Sequence, residues 1–117
     1  MSDVSCIFCK IIDRKIPGTI ILENDFVIVI KDIAPKAPIH YLIMPKKHRA
    51  DVSSLLPEDA TIVWEMMKAA QTLGNDVAPD RAFNLVVNNG ALAGQVIPHL
   101  HWHFLAGKNI YSSEFNL

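Results

Sequence analysis

The clearest pattern in the chain is the alternation of three histidines with apolar residues in the segment 99–105, which reads His-Leu-His-Trp-His-Phe-Leu. Side chains along a β-strand point to opposite faces in turn, so a period of two is typical of a strand. His99, His101 and His103 are therefore predicted to share one face. A strand with a purely structural role does not need three imidazoles on one face, so we expect the functional site of the protein here.

Hydrophobic patterning also predicts the other strands of a sheet. These strands are predicted at residues 19–23, 26–31, 39–44 and 83–87. The uninterrupted apolar run at 26–30 indicates a strand covered on both faces. Together with the histidine segment, they predict an antiparallel meander of five strands.

Two helices complete the predicted α+β fold. A short one follows Cys6-x-x-Cys9 near the N-terminus. A long crossover helix is predicted to begin at Leu56-Pro57-Glu58-Asp59, with proline near the first position and acids in the first turn, and to end at Gly74-Asn75. Met66 and Leu73 lie on its apolar face.

Composition limits the class of protein. The 117 residues are sufficient for a single domain spanning 1–117, and the 50% hydrophobic content suggests that some apolar surface is buried against another subunit. The net charge of −1 predicts no nucleic-acid partner and no anionic membrane surface. The chain shows no signal-peptide pattern and no run of about 18 apolar residues. The two cysteines do not form a disulfide framework. We therefore expect a cytoplasmic protein.

The three histidines allow three interpretations. Neighbours two apart on a strand are separated by ~6.6 Å and the outer pair by ~13 Å, so two imidazoles can converge on one zinc ion but three cannot. Alternatively, one histidine is a nucleophile or base that its neighbours tune. The third interpretation is three solvated histidines on an edge strand.

Three further features carry candidate chemistry. Cys6 and Cys9 form half of a zinc site, a redox pair or two unrelated thiols, and a metal site would need histidines from far along the chain. Asp32 follows a buried strand, where it caps a turn or binds a ligand. The glycine- and asparagine-bearing segment 88–98 leads into the histidines and is suited to presenting backbone N–H groups to an anion.

The segment Gly94-Gln95-Val96-Ile97-Pro98-His99-Leu100-His101-Trp102-His103 resembles the signature of the histidine-triad (HIT) proteins, His-x-His-x-His. The likeness extends to the Hint-like branch of bacterial type with Cys-x-x-Cys and covers residues 6 to about 107, leaving 108–117 as a tail. The shared segments are Ile7-Phe8-x-Lys10-Ile11-Ile12, Ile16-Pro17, Asp32-Ile33, Ala37-Pro38-x-His40, Ile43-x-Pro45-Lys46-Lys47-His48 and Val86-Val87-Asn88.

This resemblance implies a nucleotide-binding hydrolase or nucleotidyl transferase. Such proteins cleave an α-phosphate from its substituent, commonly releasing an amine from a nucleoside 5′-phosphoramidate through a nucleotidyl-histidine intermediate. The implied ligand is a purine nucleotide such as AMP, with no organic cofactor. The implied assembly is a homodimer in which two five-stranded sheets form a ten-stranded one.

The resemblance also implies roles for individual residues. His101 would be the nucleophile, His103 would contact the phosphate, and His40 and His99 would support them. The implied phosphate-binding residues are Asn88, Gln95 and His103. The implied nucleoside-binding residues are Asp32, Ile33, Ile7, Phe8, Ile11 and Ile30.

Some relatives couple a Cys-x-x-Cys pair to two histidines, which implies a structural zinc held here by Cys6, Cys9, His48 and His99. This set would leave His101 free, with an unprotonated ring nitrogen at the floor of a nucleoside cleft. An imidazole buried from solvent, or ligated to an ion, would overturn that expectation. The alternatives are a non-catalytic nucleotide-binding module, a dinucleoside polyphosphate hydrolase and a hydrolase using zinc-bound water.

Overall fold

The computed structural model describes residues 5–117, a range that contains both cysteines and all the histidines. This range contains two helices and five strands, together with four short 3₁₀ turns. The elements are α1 (Ile7–Ile12), β1 (Ile20–Glu23), β2 (Val27–Lys31), β3 (Ile39–Pro45), α2 (Ala60–Asp76), β4 (Phe83–Val87) and β5 (Trp102–Ala106). None of the helices within residues 5–117 has the length and apolar character needed to cross a membrane.

The five strands form one antiparallel sheet in the order β1-β2-β3-β5-β4. The first three strands make a meander. Helix α2 then carries the chain across the sheet to β4 at the far edge, and β5 returns between β3 and β4. The predicted α+β fold is confirmed, and the histidine-bearing strand has a neighbour on each side.

Both faces of the sheet are covered, as the apolar run in β2 predicted. Val27 and Val29 pack with Met66 and Leu73 of α2 on one face. The alternate residues of β2 pack with α1 on the other face, in a cluster that also contains Phe8, Ile11, Leu42 and Met44. All four apolar residues at 27–30 are buried, which explains why this strand lacks a polar alternation.

Helix α2 differs from its predicted bounds at both ends. Pro57–Asp59 forms a separate 3₁₀ turn, and the helix continues past Gly74 to Asp76. Gly74 is therefore not a C-terminal cap. A Cβ atom there would lie 2.6 Å from Cε2 of Phe83 in β4, so glycine permits close packing of the helix on the sheet.

The predicted strand at 99–105 is wrong at its start, since β5 begins at Trp102 and only His103 of the three histidines lies in it. The N–H of His99 donates to the carbonyl of Ile97 (2.8 Å), and the N–H of Leu100 donates to that of Arg49 (2.7 Å). These two bonds, one local and one to a residue far away in the sequence, replace the strand pairing before residue 102. The alternation persists, because Leu100 and Phe104 belong to the cluster on the α2 face.

Candidate active site

Two histidines from adjacent strands form the centre of the site. His40 of β3 is paired with Leu105 and His103 of β5 with Leu42, so the two imidazoles are diagonal neighbours on the α1 face. Their Nε2 and Nδ1 atoms are 2.8 Å apart. The N–H of Lys36 donates to Nδ1 of His40 (3.0 Å), so Nε2 of His40 carries the proton that it donates to Nδ1 of His103. This leaves Nε2–H of His103 as a donor.

Both imidazoles are held neutral. Burial, reinforced by the neighbouring imidazoles of His101 and His40, lowers the pKa of His103 to about 4. Burial also lowers the pKa of His40 from its ordinary value of 6.5, against the opposing attraction of Asp32. At neutral pH the pair is therefore an uncharged hydrogen-bonded relay that ends in an N–H donor.

His101 lies beside this relay, with its ring centroid 5.2 Å from that of His103. Its Nδ1 donates to the carbonyl of His99 (2.7 Å), which leaves the lone pair on Nε2 in the neutral ring. Among residues 5–117, every side-chain nitrogen or oxygen atom of a buried or half-buried residue that is sealed from solvent has a hydrogen-bond partner. Since Nε2 has no hydrogen-bond partner there, it retains contact with solvent.

His101 as a whole is only 8% exposed, which is more enclosed than the sequence interpretation expected. The reason is Phe8, which packs edge-on against the ring with centroids 5.1 Å apart. The solvent contact of this imidazole is therefore small, and the ring of His103 lies beside it.

Asp32 stands between two surface depressions. One carboxylate oxygen accepts the N–H of Ala34 (2.8 Å), so Asp32 caps a turn, as one of its two interpretations predicted. The other oxygen lies 3.4 Å from Nε2 of His40. The larger depression, about 610 Å³, has Asp32 at its rim and aliphatic walls that include Ile11, Ile30 and Ile33. These are four of the six predicted nucleoside-binding residues.

The other two predicted nucleoside-binding residues lie elsewhere. Ile7 is 47% exposed and does not line the larger depression, and Phe8 is buried against His99 and His101. Phe8 therefore supports the histidines rather than walling the aliphatic depression.

A second depression of about 350 Å³ continues from Asp32 past the histidine relay. His40, His103 and Asn88 line it, together with Lys36, Lys108 and Ile110. The last three were missed by the sequence reasoning. Lys36 had a weak signal in its position four residues before His40, whereas no local pattern points to the tail residues Lys108 and Ile110.

The glycine-bearing segment between β4 and β5 is folded on itself by two predicted phosphate-binding side chains. Gln95 accepts the N–H of Gly90 (2.8 Å) and donates to the carbonyls of Ala50 (2.7 Å) and Ile97 (3.0 Å). Asn88 donates to the carbonyl of Ala93 (2.8 Å). Asn88 lines the second depression, whereas Gln95 lines neither of the two and braces the loop in this conformation.

Cys6, Cys9, His48 and His99 converge into a Cys₂His₂ cluster, with all four donor atoms within 4.8 Å of one another. Nδ1 of His99 lies 3.4 Å from Sγ of Cys6, 3.5 Å from Sγ of Cys9 and 3.1 Å from Nδ1 of His48. Sγ of Cys9 lies 3.3 Å from Nδ1 of His48. Tetrahedral zinc with bonds of about 2.0–2.3 Å separates its ligands by about 3.3–3.8 Å, so the cluster is close to the size that zinc requires.

The surroundings of the cluster also suit a metal. Nε2–H of His99 donates to the carbonyl of Pro45 (2.8 Å), which turns its Nδ1 lone pair toward the cysteines. Burial lowers the pKa of His99 to about 4, so the ring is neutral at neutral pH, and the neutral ring is the form that binds a metal. Because the carbonyl of His99 also accepts Nδ1–H of His101, one residue joins the cluster to the predicted nucleophile.

A buried ion pair holds the segment that carries His48. The carboxylate of Asp59 is fully buried and accepts from Arg49 Nε (2.8 Å) and the N–H of Leu56 (2.9 Å). The guanidinium of Arg49 keeps the pKa of this carboxyl well below its usual range. Since the carbonyl of Arg49 anchors the N–H of Leu100, Asp59 is linked to the backbone between His99 and His101.

Comparisons with known proteins agree with this architecture. Residues 13–110 match the family model described as the HIT domain. A curated relative, an uncharacterized HIT-like protein of Synechocystis sp., is 41% identical over 102 residues, covering 87% of this chain and 90% of the relative.

Solved structures give the same result. A HIT family hydrolase from Clostridium thermocellum is 40% identical with a TM-score of 0.91, covering 97% of this chain and 100% of the other. A Zn-bound histidine triad family protein from Mycobacterium smegmatis is 30% identical with a TM-score of 0.77, covering 91% of this chain and 77% of the other.

Proposed function

The chain belongs to the HIT family, and on that premise we propose that it is a nucleotidyl hydrolase or transferase. Its substrates would be nucleoside 5′-phosphoramidates or related AMP conjugates, cleaved at the α-phosphate. The observation that carries this proposal is the arrangement of His101, whose Nδ1–H is fixed by the His99 carbonyl and whose ring lies 5.2 Å from that of His103 in the relay. The similar hydrolase from Clostridium thermocellum supports a hydrolytic activity.

The proposed reaction has two steps. In the first, Nε2 of His101 attacks the α-phosphorus, the P–N bond to the leaving amine breaks, and the amine leaves with a proton taken from solvent. In the second, water attacks phosphorus, the bond to Nε2 breaks, and the nucleoside monophosphate is released. Two displacements of moderate barrier thereby replace one difficult step.

The other proposed site residues would stabilise the charge on the phosphoryl oxygens and position the nucleoside. The outward N–H of His103 would donate to a non-bridging phosphoryl oxygen, and Asn88 would lie near the reacting centre. Preorganised donors of this kind are worth about 3–4 kcal/mol each in related acyl transfers. Asp32 would bind the ribose hydroxyls, with the base against Ile11, Ile30 and Ile33.

Turnover of adenosine 5′-phosphoramidate tests the proposal. We expect release of AMP by the unaltered protein, and a fall of about 10³-fold or more in His101→Ala, because removing a nucleophile disables the whole catalytic unit. The Lys68→Ala variant on the outer side of α2, where Lys68 pairs with Glu65, is the control and should retain full rate. AMP binding without turnover would instead indicate the binding-module alternative.

Two alternative enzymes are separable in the same assay. A dinucleoside polyphosphate hydrolase would cleave diadenosine polyphosphate faster than the phosphoramidate. Asp32, His40 and His103 also place donor atoms within 4.8 Å of one another, as a hydrolase using metal-bound water would need. That enzyme would lose activity at once on chelation, whereas a structural metal predicts a slower loss through unfolding.

We further propose that the Cys₂His₂ cluster holds a structural zinc, which places the chain in the Hint-like branch with Cys-x-x-Cys. Four protein ligands close a tetrahedral zinc and leave no position for substrate. Bound zinc would supply cross-linking of α1 to the segment before β5. The distances within the cluster and the Zn-bound relative from Mycobacterium smegmatis support this assignment.

We propose a cytoplasmic homodimer formed through the β4 edge of the sheet. β4 carries the exposed side chains of Phe83 and Val87 on a regular five-residue strand. The opposite edge, β1, has four residues and a register shift between Ile20 and Leu22. A regular, apolar edge pairs with a second copy more readily than a short, irregular one.

A further inference from the structure

The second depression contains two cations that the proposed reaction does not use. Asp32, His40, Asn88 and His103 have roles at the ribose and α-phosphate. Lys36 and Lys108 line the same depression beyond them. Their ammonium groups are available to an anionic ligand group other than those already assigned.

Both ammonium groups have unused capacity for an anion. Among residues 5–117, Lys108 has no hydrogen-bonded partner and no carboxylate within 4.0 Å of its ammonium nitrogen. Nζ of Lys36 donates to the carbonyl of Ala34 (3.0 Å) and, within the same described range, has no ion pair, so two of its three donors are unused. An ammonium without a counter-charge attracts an anionic ligand group.

Two lysines and one acidic residue give the wall of the depression a net positive charge, which favours an anionic ligand. Asp32 is the one acidic residue of its wall, and the lowered pKa values of His40 and His103 keep both rings uncharged at neutral pH. The positive charge of Lys36 contributes to lowering both pKa values. The volume, about 350 Å³, equals roughly a dozen water molecules at about 30 Å³ each, which exceeds the space that one phosphate needs.

We propose that Lys36 and Lys108 form a second anion subsite, which binds a phosphate or carboxylate that the nucleotide carries in addition to its α-phosphate. The inference rests on the proposed nucleotide-binding function. The apolar side chain of Ile110 beside the two lysines suits a carbon skeleton bearing that anion. The second anion belongs either to the leaving group on the 5′ side or to the ribose, since Asp32 adjoins both depressions.

Calorimetric titration at low salt tests the subsite, using AMP, ADP and adenosine 3′,5′-bisphosphate as probes. ADP carries the second phosphate on the leaving-group side, and the bisphosphate carries it on the ribose. We expect at least one of them to bind about tenfold more tightly than AMP, equivalent to about 1.4 kcal/mol. The probe that binds more tightly than AMP identifies whether the subsite lies on the leaving-group side or on the ribose side.

Lys36→Ala and Lys108→Ala should each reduce that gain to about twofold, and Lys108→Ala should leave AMP affinity unchanged. The first substitution keeps the backbone N–H that fixes the tautomer of His40. Lys68→Ala removes the same charge from α2 and should keep the full gain. Equal affinity for all three nucleotides, or a gain that survives both substitutions, would overturn the subsite. Failure of the unaltered protein to bind AMP would instead overturn the proposed function on which the subsite rests.

Discussion

Backbone groups decide what each histidine can do. The carbonyl of His99 takes Nδ1–H of His101, and the N–H of Lys36 occupies Nδ1 of His40, so each ring presents a defined nitrogen. The carbonyl of Pro45 does the same for His99. Chemically identical side chains therefore become a predicted nucleophile, a relay member and a predicted metal ligand.

The low pKa of His103 makes stability depend on pH. The unfolded chain takes up this proton near pH 6.5, but the folded protein resists it until about pH 4. The unfolded state therefore binds more protons between these values, and stability falls as the pH is lowered through that window. We expect His103 to contribute about 1–2 kcal/mol to this fall, allowing for solvent screening.

Urea unfolding at pH 7.5, 6.5, 5.5 and 4.5 measures this contribution. His103→Gln keeps a polar side chain without a group that titrates in this range, so its stability should decline less steeply than that of the unaltered protein. His99 remains in both proteins and cancels in the comparison, whereas His40 is hydrogen-bonded to residue 103 and contributes to the difference. Parallel curves for the two proteins would show that His103 is not held neutral by the fold.

The sequence placed Asp59 at the start of a helix but did not predict its structural role. An acid beside Pro57 is expected to be exposed in a first turn, where the helix dipole favours it. In the structure its carboxylate is buried and accepts hydrogen bonds from the side chain of Arg49 and the backbone N–H of Leu56. That arrangement depends on the path of the segment after β3, which no local pattern specifies.

The Cys₂His₂ cluster joins elements that are far apart in the sequence. Cys6 caps the N-terminus of α1, Cys9 lies within it, and His99 precedes β5. A metal that binds only the folded protein stabilises it by about 3–4 kcal/mol at 100–1,000 times its Kd. Zinc here would therefore fasten the N-terminal segment to the catalytic one.

Elemental analysis of the purified protein should give about one zinc per chain. Cys6→Ser should lose the metal and about 3–4 kcal/mol of unfolding free energy. Chelation should lower the stability of the unaltered protein toward that of the variant and have no effect on the variant. A metal-free protein whose stability equals that of the zinc-treated one would refute the structural zinc.

The elements followed from the sequence more fully than the site did. Alternation and apolar runs specified the sheet, and the run in β2 showed that both of its faces are covered. The start of β5 was wrong because Arg49, remote in sequence, takes the N–H of Leu100. The family resemblance supplied the convergence of Cys6 with His99, whereas the positions of Lys36 and Lys108 depend on strand register and on the path of the tail.

The whole molecule exposes two sheet edges, which are proposed to differ in their ability to pair. Light scattering should give about twice the 13.0 kDa mass of the chain. Val87→Lys at the β4 edge should shift the protein toward the monomer, since a charged edge residue opposes strand pairing. Ile20→Lys at the β1 edge is the matched control and should remain dimeric. A monomeric unaltered protein, or dissociation by Ile20→Lys alone, would contradict the β4 assignment.

The proposed activity of the whole molecule depends on a covalent bond between one ring nitrogen and phosphorus. The most direct measurement is rapid quenching of the protein during turnover of adenosine 5′-phosphoramidate, followed by peptide mapping by mass spectrometry. The account predicts an adenylyl group on His101 and no modified histidine in His101→Ala. An adduct on His40 or His103, or full turnover by His101→Ala, would contradict it.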